Sequence, residues 1–250
     1  MKSKNTLSLL LLLLLGQQAL GQTTADGAHL VSSSVSQLEQ RYAESFFGHP
    51  ELYNGPEYIN YARPYFRRTG HQFFLSTEPQ SGSVYYSGHH FTGQKLLYDV
   101  VRDQVVLEHA TSPLNLSLIN QNVRYFFIGN HHFTRLVADS LTQGLPGTGF
   151  YEVLVDSTVQ LLAKRSKRMQ ERVEQGHVNV EFIAGDKLFI RKAGVYYGVR
   201  KKRSVTRLFA DHSKQVQQYI QDNKLRFKKK GRREADIVQL TRYYNGLLLH

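Results

Sequence analysis

Cysteine and tryptophan are absent from the 250 residues, and methionine occurs only twice. Without cysteine there is no disulfide framework, no thiol nucleophile, no thiolate metal site and no lipidated cysteine. Nor does the chain hold a GxSxG elbow, an SxxK pair or an HExxH helix, so the familiar serine hydrolase and zinc protease patterns have no foothold. Proline is confined to six positions, which leaves long stretches free for regular structure. Apolar residues make up 41% of the chain, enough for one sizeable core or two small ones, which excludes global disorder.

One long apolar run is present, at the start. Lys2 and Lys4 precede Leu7 and the run 9–15, and Ala19-Leu20-Gly21 offers small residues on both sides of a cleavage point. This is the plan of a secretory leader at residues 1–21, too short to span a bilayer comfortably. The expectation is an exported, periplasmic or extracellular chain starting at Gln22, soluble and without a transmembrane anchor after cleavage. Charge is distributed unevenly: residues 22–160 carry 8 Lys/Arg against 12 Asp/Glu, whereas residues 161–250 carry 22 against 8. The C-terminal third is therefore suited to phosphate, sulfate or carboxylate partners.

Val35, Leu38, Tyr42 and Phe46 fall at helical spacing behind Ser34, which predicts a short N-terminal helix. An aromatic segment punctuated by Pro and Gly completes a region 22–71. From residue 72 to 203, β-branched and aromatic runs are broken by Gly, Asn and Asp about every ten residues, the pattern of an antiparallel β domain. Twelve strands are expected, from Phe73-Phe74-Leu75 to the run 195–200, with turns at Arg102-Asp103, Gly185-Asp186 and Ala193-Gly194. The segment 164–175 is compatible with helix or strand. Such close spacing leaves no room for crossover helices, so the fold class is mainly β (α+β): a meander, sandwich or partly open barrel. Residues 204–250 change period. Val205, Leu208, Phe209, Val216 and Ile220 mark one helical face and Ile237, Leu240, Tyr244 and Leu247 another, predicting a basic helical segment packed on the β domain.

The segments Leu52-Tyr53-Asn54-Gly55-Pro56-Glu57-Tyr58, Gly82-Ser83-Val84-Tyr85-Tyr86, Leu97-Tyr98-Asp99-Val100-Val101-Arg102-Asp103 and Thr148-Gly149-Phe150-Tyr151, with the basic tail, resemble a family of exported β-rich proteins of Gram-negative bacteria. The resemblance covers nearly all of the chain after the leader. It implies secretion and a shared β-rich fold, and no activity comes with it.

Two segments echo each other around paired histidines, His89-His90 and His131-His132. Neighbouring strand residues point to opposite faces, so each pair supplies at most one ligand to a common metal, and polar turn tips favour His in any case. Glu57 and Glu78 are candidates for an acid pair across a sugar cleft, whereas Asp99 and Asp103 flank a turn where Asp is an ordinary structural choice. The glycines of 144–149 lack the Lys-Ser/Thr of a phosphate loop. The run Arg200-Lys201-Lys202-Arg203-Ser204 stands directly before a predicted helix and is the best anion-binding candidate. Lys164 to Arg168 and Arg226 to Arg233 extend it if the fold brings them near; otherwise the three runs are separate solvated turns. The sequence thus points to a non-enzymatic binding or structural protein of the cell envelope, needing no cofactor. Its expected partner is an anionic glycan, lipopolysaccharide or anionic lipid rather than nucleic acid, since the basic runs lack interleaved aromatics. The alternative is a metal-assisted or acid/base hydrolase built on the turn histidines.

Overall fold

The computed structural model describes residues 50–140, 142–228 and 230–249; the leader and the expected helix around 34–47 lie outside these. Leu52 to His250 form one compact unit. Its strands are β1 (Arg67–Thr69), β2 (Gln80–Tyr86), β3 (His89–Asp99), β4 (Gln104–Glu108), β5 (Asn115–Ser117), β6 (Val123–Ile128), β7 (His131–Leu136), β8 (Gly149–Val155), β9 (Gln160–Lys164), β10 (Lys167–Glu174), β11 (His177–Ala184), β12 (Lys187–Lys192) and β13 (Val195–Val199). Ten of them make one antiparallel sheet in the order β13-β12-β9-β8-β7-β6-β2-β3-β4-β5, and β1-β11-β10 make a small second sheet. The mainly β architecture read from the sequence holds. One pairing departs from it, because β1 runs parallel to β11.

Local chemistry explains the turns. Ser87-Gly88, Gln175-Gly176 and Ala193-Gly194 all have positive φ at both central positions, the requirement of a two-residue hairpin turn that follows strand twist. In the ambiguous segment 164–175 the run Lys167–Glu174 is strand, with no helix, and Gly185-Asp186 is not a hairpin turn. The true turn of that ribbon is Gln175-Gly176. Gly185-Asp186 lies opposite Arg165-Ser166 where both strands step together from the large sheet into the small one, and the Ser166 hydroxyl donates to the Gly185 carbonyl (2.9 Å). Phe73-Phe74-Leu75 is likewise not a strand. It makes a single bridge, Phe73 to Asp99, before Leu75 turns to φ 43° and ends the pairing.

The large sheet is open at β13 and β5 but strongly curled. Tyr98 on β3 and Phe150 on β8 stand four strands apart, ~19 Å in a flat sheet. Their ring centroids are only 6.0 Å apart, edge to face. Inside the curl Val84, Tyr86, Leu96, Phe126, Ile128 and Phe133 pack with them. The gap is closed by side chains instead of a backbone ladder. Asp103 accepts from the Tyr98 hydroxyl (2.5 Å), from the Phe150 amide (3.3 Å) and from the Lys164 ammonium (2.7 Å), which also donates to the Phe150 carbonyl (3.1 Å).

The tail comprises α1 (Lys202–Leu208), α2 (Ser213–Asp222) and α3 (Lys230–Leu247). Val205, Phe209, Val216, Ile220, Ile237, Leu240 and Tyr244 are buried against Leu161, Ala163, Leu188, Ile190 and Val199, so the tail covers the β9-β12-β13 end of the sheet. Two polar ties hold it: the Asn245 side chain both accepts from the Val159 amide and donates to its carbonyl (2.8 Å each), and Lys192 donates to the Tyr244 hydroxyl (2.6 Å) and the Asp211 carboxylate (3.1 Å).

Gly149, at φ +155°, leaves the space that the Asp103–Lys164 pair occupies, since a Cβ there collides with both charged ends. Gly149→Ala is expected to cost about 2 kcal/mol, lowering Tm by about 4–8 °C in thermal unfolding. Gly147→Ala, whose Cβ meets nothing within 4 Å, is the control and leaves Tm unchanged. Equal Tm for both variants would remove the junction from its role in holding the curl.

Candidate anion-binding site

At the end of the sheet covered by the tail, three segments bring their cations together. Arg200, Lys201 and Lys202 leave β13 and enter α1. Arg226 and Lys228 lie on the connection between α2 and α3, and Arg233 is in the first turn of α3. With Phe227 these six cations line one cleft of about 550 Å³. Two of the basic runs distinguished in the sequence therefore do converge.

The connection carrying Arg226 and Lys228 alternates like a strand. Leu225 and Phe227 are buried, and the two cations between and after them are exposed. Its conformation is strained, with Lys224 at φ 50° and Phe227 at φ 55°, and a left-handed conformation is rare for a bulky aromatic. What holds it is Asp236 on α3, a carboxylate 4% exposed, which accepts from the backbone amides of Arg226 (3.0 Å) and Phe227 (2.8 Å). Arg233 adds a second clamp by donating to the carbonyls of Phe227 (3.3 Å) and Lys228 (3.5 Å). Among the described residues, no carboxylate pairs with Arg200, Lys201, Lys202, Arg226 or Lys228.

Arg203 and Ser204 take other parts. Arg203 is exposed on α1 and is not among the cleft's lining residues. The Ser204 hydroxyl accepts from the amides of Arg200 (3.0 Å) and Lys201 (3.1 Å) and donates to the Lys201 carbonyl (2.7 Å), so it shapes the chain on which the cations sit. The third basic run, 164–168, does not join the cleft. Lys164 is taken by Asp103, and Lys167 donates to the carbonyls of His71 (2.8 Å) and Phe73 (2.6 Å). Arg165 is spent on carboxylates: its Nε donates to Glu152 (2.5 Å), Nη1 to Asp186 (3.2 Å), and Nη1 and Nη2 together to Glu234 (2.7 and 2.8 Å). Burial pulls the Arg165 pKa down, but the Glu234 and Glu152 carboxylates outweigh it and hold the guanidinium above its ordinary value.

A second cleft adjoins the first. It has a volume of about 630 Å³ and is lined by 184–189, 198–200, Arg233 and Glu234, so Arg200 and Arg233 belong to both. No sequence signal announced it, because its walls come from the step between the two sheets.

The histidines are dispersed. His131 pairs with Glu152 (2.5 Å) on one face of the sheet, while His132 stacks on Phe127 on the other, with centroids 4.5 Å apart. His90 and His132 each lie 6.0 Å from the Tyr125 ring, and His89 contacts the Ser87 carbonyl (3.2 Å). Among the described residues no three His, Cys, Asp or Glu side chains are grouped as metal ligands. Burial lowers the His132 pKa, with Asp156 opposing. Glu57 and Glu78 are both exposed. Asp99 is a buried structural acid, accepting from the hydroxyls of Tyr58 (2.8 Å) and Tyr61 (3.1 Å) and from the amides of Val101 and Arg102. The glycines of 144–149 belong to a cover over the sheet, where Gln143 accepts from the Tyr196 amide (2.9 Å) and Gly144 presses on the Tyr196 carbonyl.

No family model, curated protein or solved structure matches the chain.

Asp236→Ala strips the partner from two amides of the strained connection. The expected cost is about 2 kcal/mol in denaturant unfolding, with faster hydrogen exchange at the amides of Arg226 and Phe227. Unchanged protection at those two amides would show that the connection holds its shape without the carboxylate.

Proposed function

We propose that the protein is an exported, non-enzymatic binding module of the cell envelope that holds an anionic partner in the cleft between residues 200–202 and 226–233. The observation that carries this reading is the convergence of six cations on one cleft, none of them paired with a carboxylate among the described residues. Like charges brought this close repel one another, and the fold maintains them there with a buried carboxylate and strained backbone. An anion relieves that repulsion, and several guanidinium and ammonium donors facing one cleft suit phosphate, sulfate or carboxylate oxygens. The leader-like residues 1–21 support placement outside the cytoplasm, where lipopolysaccharide, anionic glycans and anionic lipids are the abundant polyanions. Nucleic acid fits less well, because the cleft offers one aromatic, Phe227, and that ring is buried.

The test is a salt-titrated binding assay of the protein without its leader against a sulfated glycan, lipopolysaccharide, anionic vesicles and DNA. Binding is expected at low salt and is expected to fade toward 1 M salt, where the Debye length falls to about 3 Å. Changing Arg200, Lys201, Lys202, Arg226 and Lys228 to Gln should weaken it at least tenfold, about 1.4 kcal/mol, whereas Arg203→Gln should change it little. Absence of binding at low salt, or binding that survives both the quintuple change and high salt, would sink the proposal. Preference for DNA over every envelope polyanion would replace the partner class.

A further inference from the structure

The anion cleft does not end in solvent on every side. Arg200 and Arg233 line both clefts, and beyond them the second cleft runs round the β12–β13 end of the sheet, past Leu188 and Val199 on the tail-covered face and Phe189 and Gly198 on the other, with Ala184 and Gly185 also in its lining. Two acids touch this second cleft, Asp186 and Glu234, and both are bound to Arg165. Arg165 answers both acids, Lys187 adds a further cation to the lining, and the rest of that surface, Ala184, Gly185, Leu188, Phe189, Gly198 and Val199, is apolar. A cationic compartment and an apolar compartment of similar size therefore share two arginines.

Resting on the anion-binding reading above, we infer that the ligand is a single anionic amphiphile, with a phosphorylated head in the cationic cleft and an alkyl chain in the apolar one. The two volumes, about 550 and 630 Å³, each fall in the range of small-molecule sites, about 300–1,000 Å³. A purely polar anion leaves the apolar cleft wet, and a neutral apolar ligand leaves the cations unanswered. One molecule with both chemistries satisfies both compartments. Arg200 and Arg233 stand where head meets chain, and Arg233 is aimed by the carbonyls of Phe227 and Lys228. Gly198 keeps the chain compartment open: it faces Phe189 across the β12–β13 pair, and a Cβ built there lies 3.8 Å from the Phe189 ring, an ordinary contact. A larger side chain at 198 accordingly fills the cleft while leaving the backbone in place.

The experiment titrates the protein without its leader, by calorimetry, with inorganic phosphate and triphosphate, octyl, decyl and dodecyl phosphate below their micelle concentrations, dodecyl maltoside and anionic vesicles. Dodecyl phosphate is expected to bind at least tenfold tighter than inorganic phosphate or dodecyl maltoside. From octyl to dodecyl phosphate the affinity should rise about two- to fourfold per methylene, as burial of each CH₂ dictates. Gly198→Leu should abolish that chain-length dependence and keep triphosphate binding, and Gly198→Ala should reduce it in part. The chain-length series on the unaltered protein decides the matter even if a variant fails to fold. Equal affinity for inorganic phosphate and dodecyl phosphate overturns the amphiphile and leaves the anion cleft standing. No binding of triphosphate, phosphate or dodecyl phosphate sinks both readings. Equal binding of dodecyl maltoside and dodecyl phosphate, or binding of vesicles without monomers, also overturns the inference.

Discussion

The guanidinium of Arg165 is the contact on which the geometry of the candidate site depends. It sits at the step where the ribbon β9–β12 passes from the large sheet to the small one, 11% exposed, with carboxylates from three directions. Glu152 belongs to the sheet, Asp186 to the link between β11 and β12, and Glu234 to α3 just after its first turn. Removing such a buried cation strands its partners, which costs far more than the pair is worth against a hydrophobic replacement. The value of the arrangement is therefore register: the start of α3 is tied to one place on the sheet. Arg233 and the connection 224–228 are carried to that place, and the walls of both clefts follow.

The same contact explains why a chain of net charge +12 is so uneven in its effects. The acidic front of the chain does not repel itself, because its interior acids are answered locally. Asp99 is satisfied by two tyrosine hydroxyls and two amides, while Asp103 and Glu152 take Lys164 and Arg165 from the basic third. Once those cations are spent, the rest of the basic excess has few internal partners. The cations of 200–202 and 226–228 remain facing water, and their position is set by burial of Leu225 and Phe227 between them.

Strand and helix periods were legible because burial alternates where expected. Val180 and Phe182 are buried while Asn179 and Glu181 are not, and Ile237, Leu240 and Tyr244 form the buried face of α3. Spacing alone misplaced the ribbon turn, since Gly185-Asp186 has stronger turn chemistry than Gln175-Gly176. The glycine at 185 serves the step between sheets, where a Cβ would lie 3.4 Å from the Ser166 hydroxyl. Phe73 to Leu75 has strand composition, yet its rings are needed as cover over the curl, and Phe74 packs edge to face on Phe133 at 5.1 Å. Of the three basic runs, 200–203 and 226–233 met, through Arg200, Lys201, Lys202, Arg226, Lys228 and Arg233, a proximity that the sequence left open. The run 164–168 did not, because composition does not distinguish a cation facing water from one spent on a buried carboxylate.

If the cleft holds an anion as proposed, it is a region where local stability and ligand binding oppose each other. Phe227 at positive φ and unpaired cations on both walls each raise the free energy of the ligand-free state, and the Asp236 carboxylate offsets part of this by binding two amides. The compensation lies in the core beneath, where Val205, Phe209, Val216, Ile220 and Tyr244 are packed on the sheet and the Phe209 and Tyr244 rings stack 3.9 Å apart. On the proposed reading, a rigid base with an electrostatically frustrated rim makes a preorganised receptor. The ordering cost is met during folding, so an incoming anion gains attraction without having to assemble the site. Any species that binds this rim selectively also stabilises the folded chain by mass action. The rim and the core beneath it are thus two sides of one free-energy balance, joined through α3 and the arginine that anchors it.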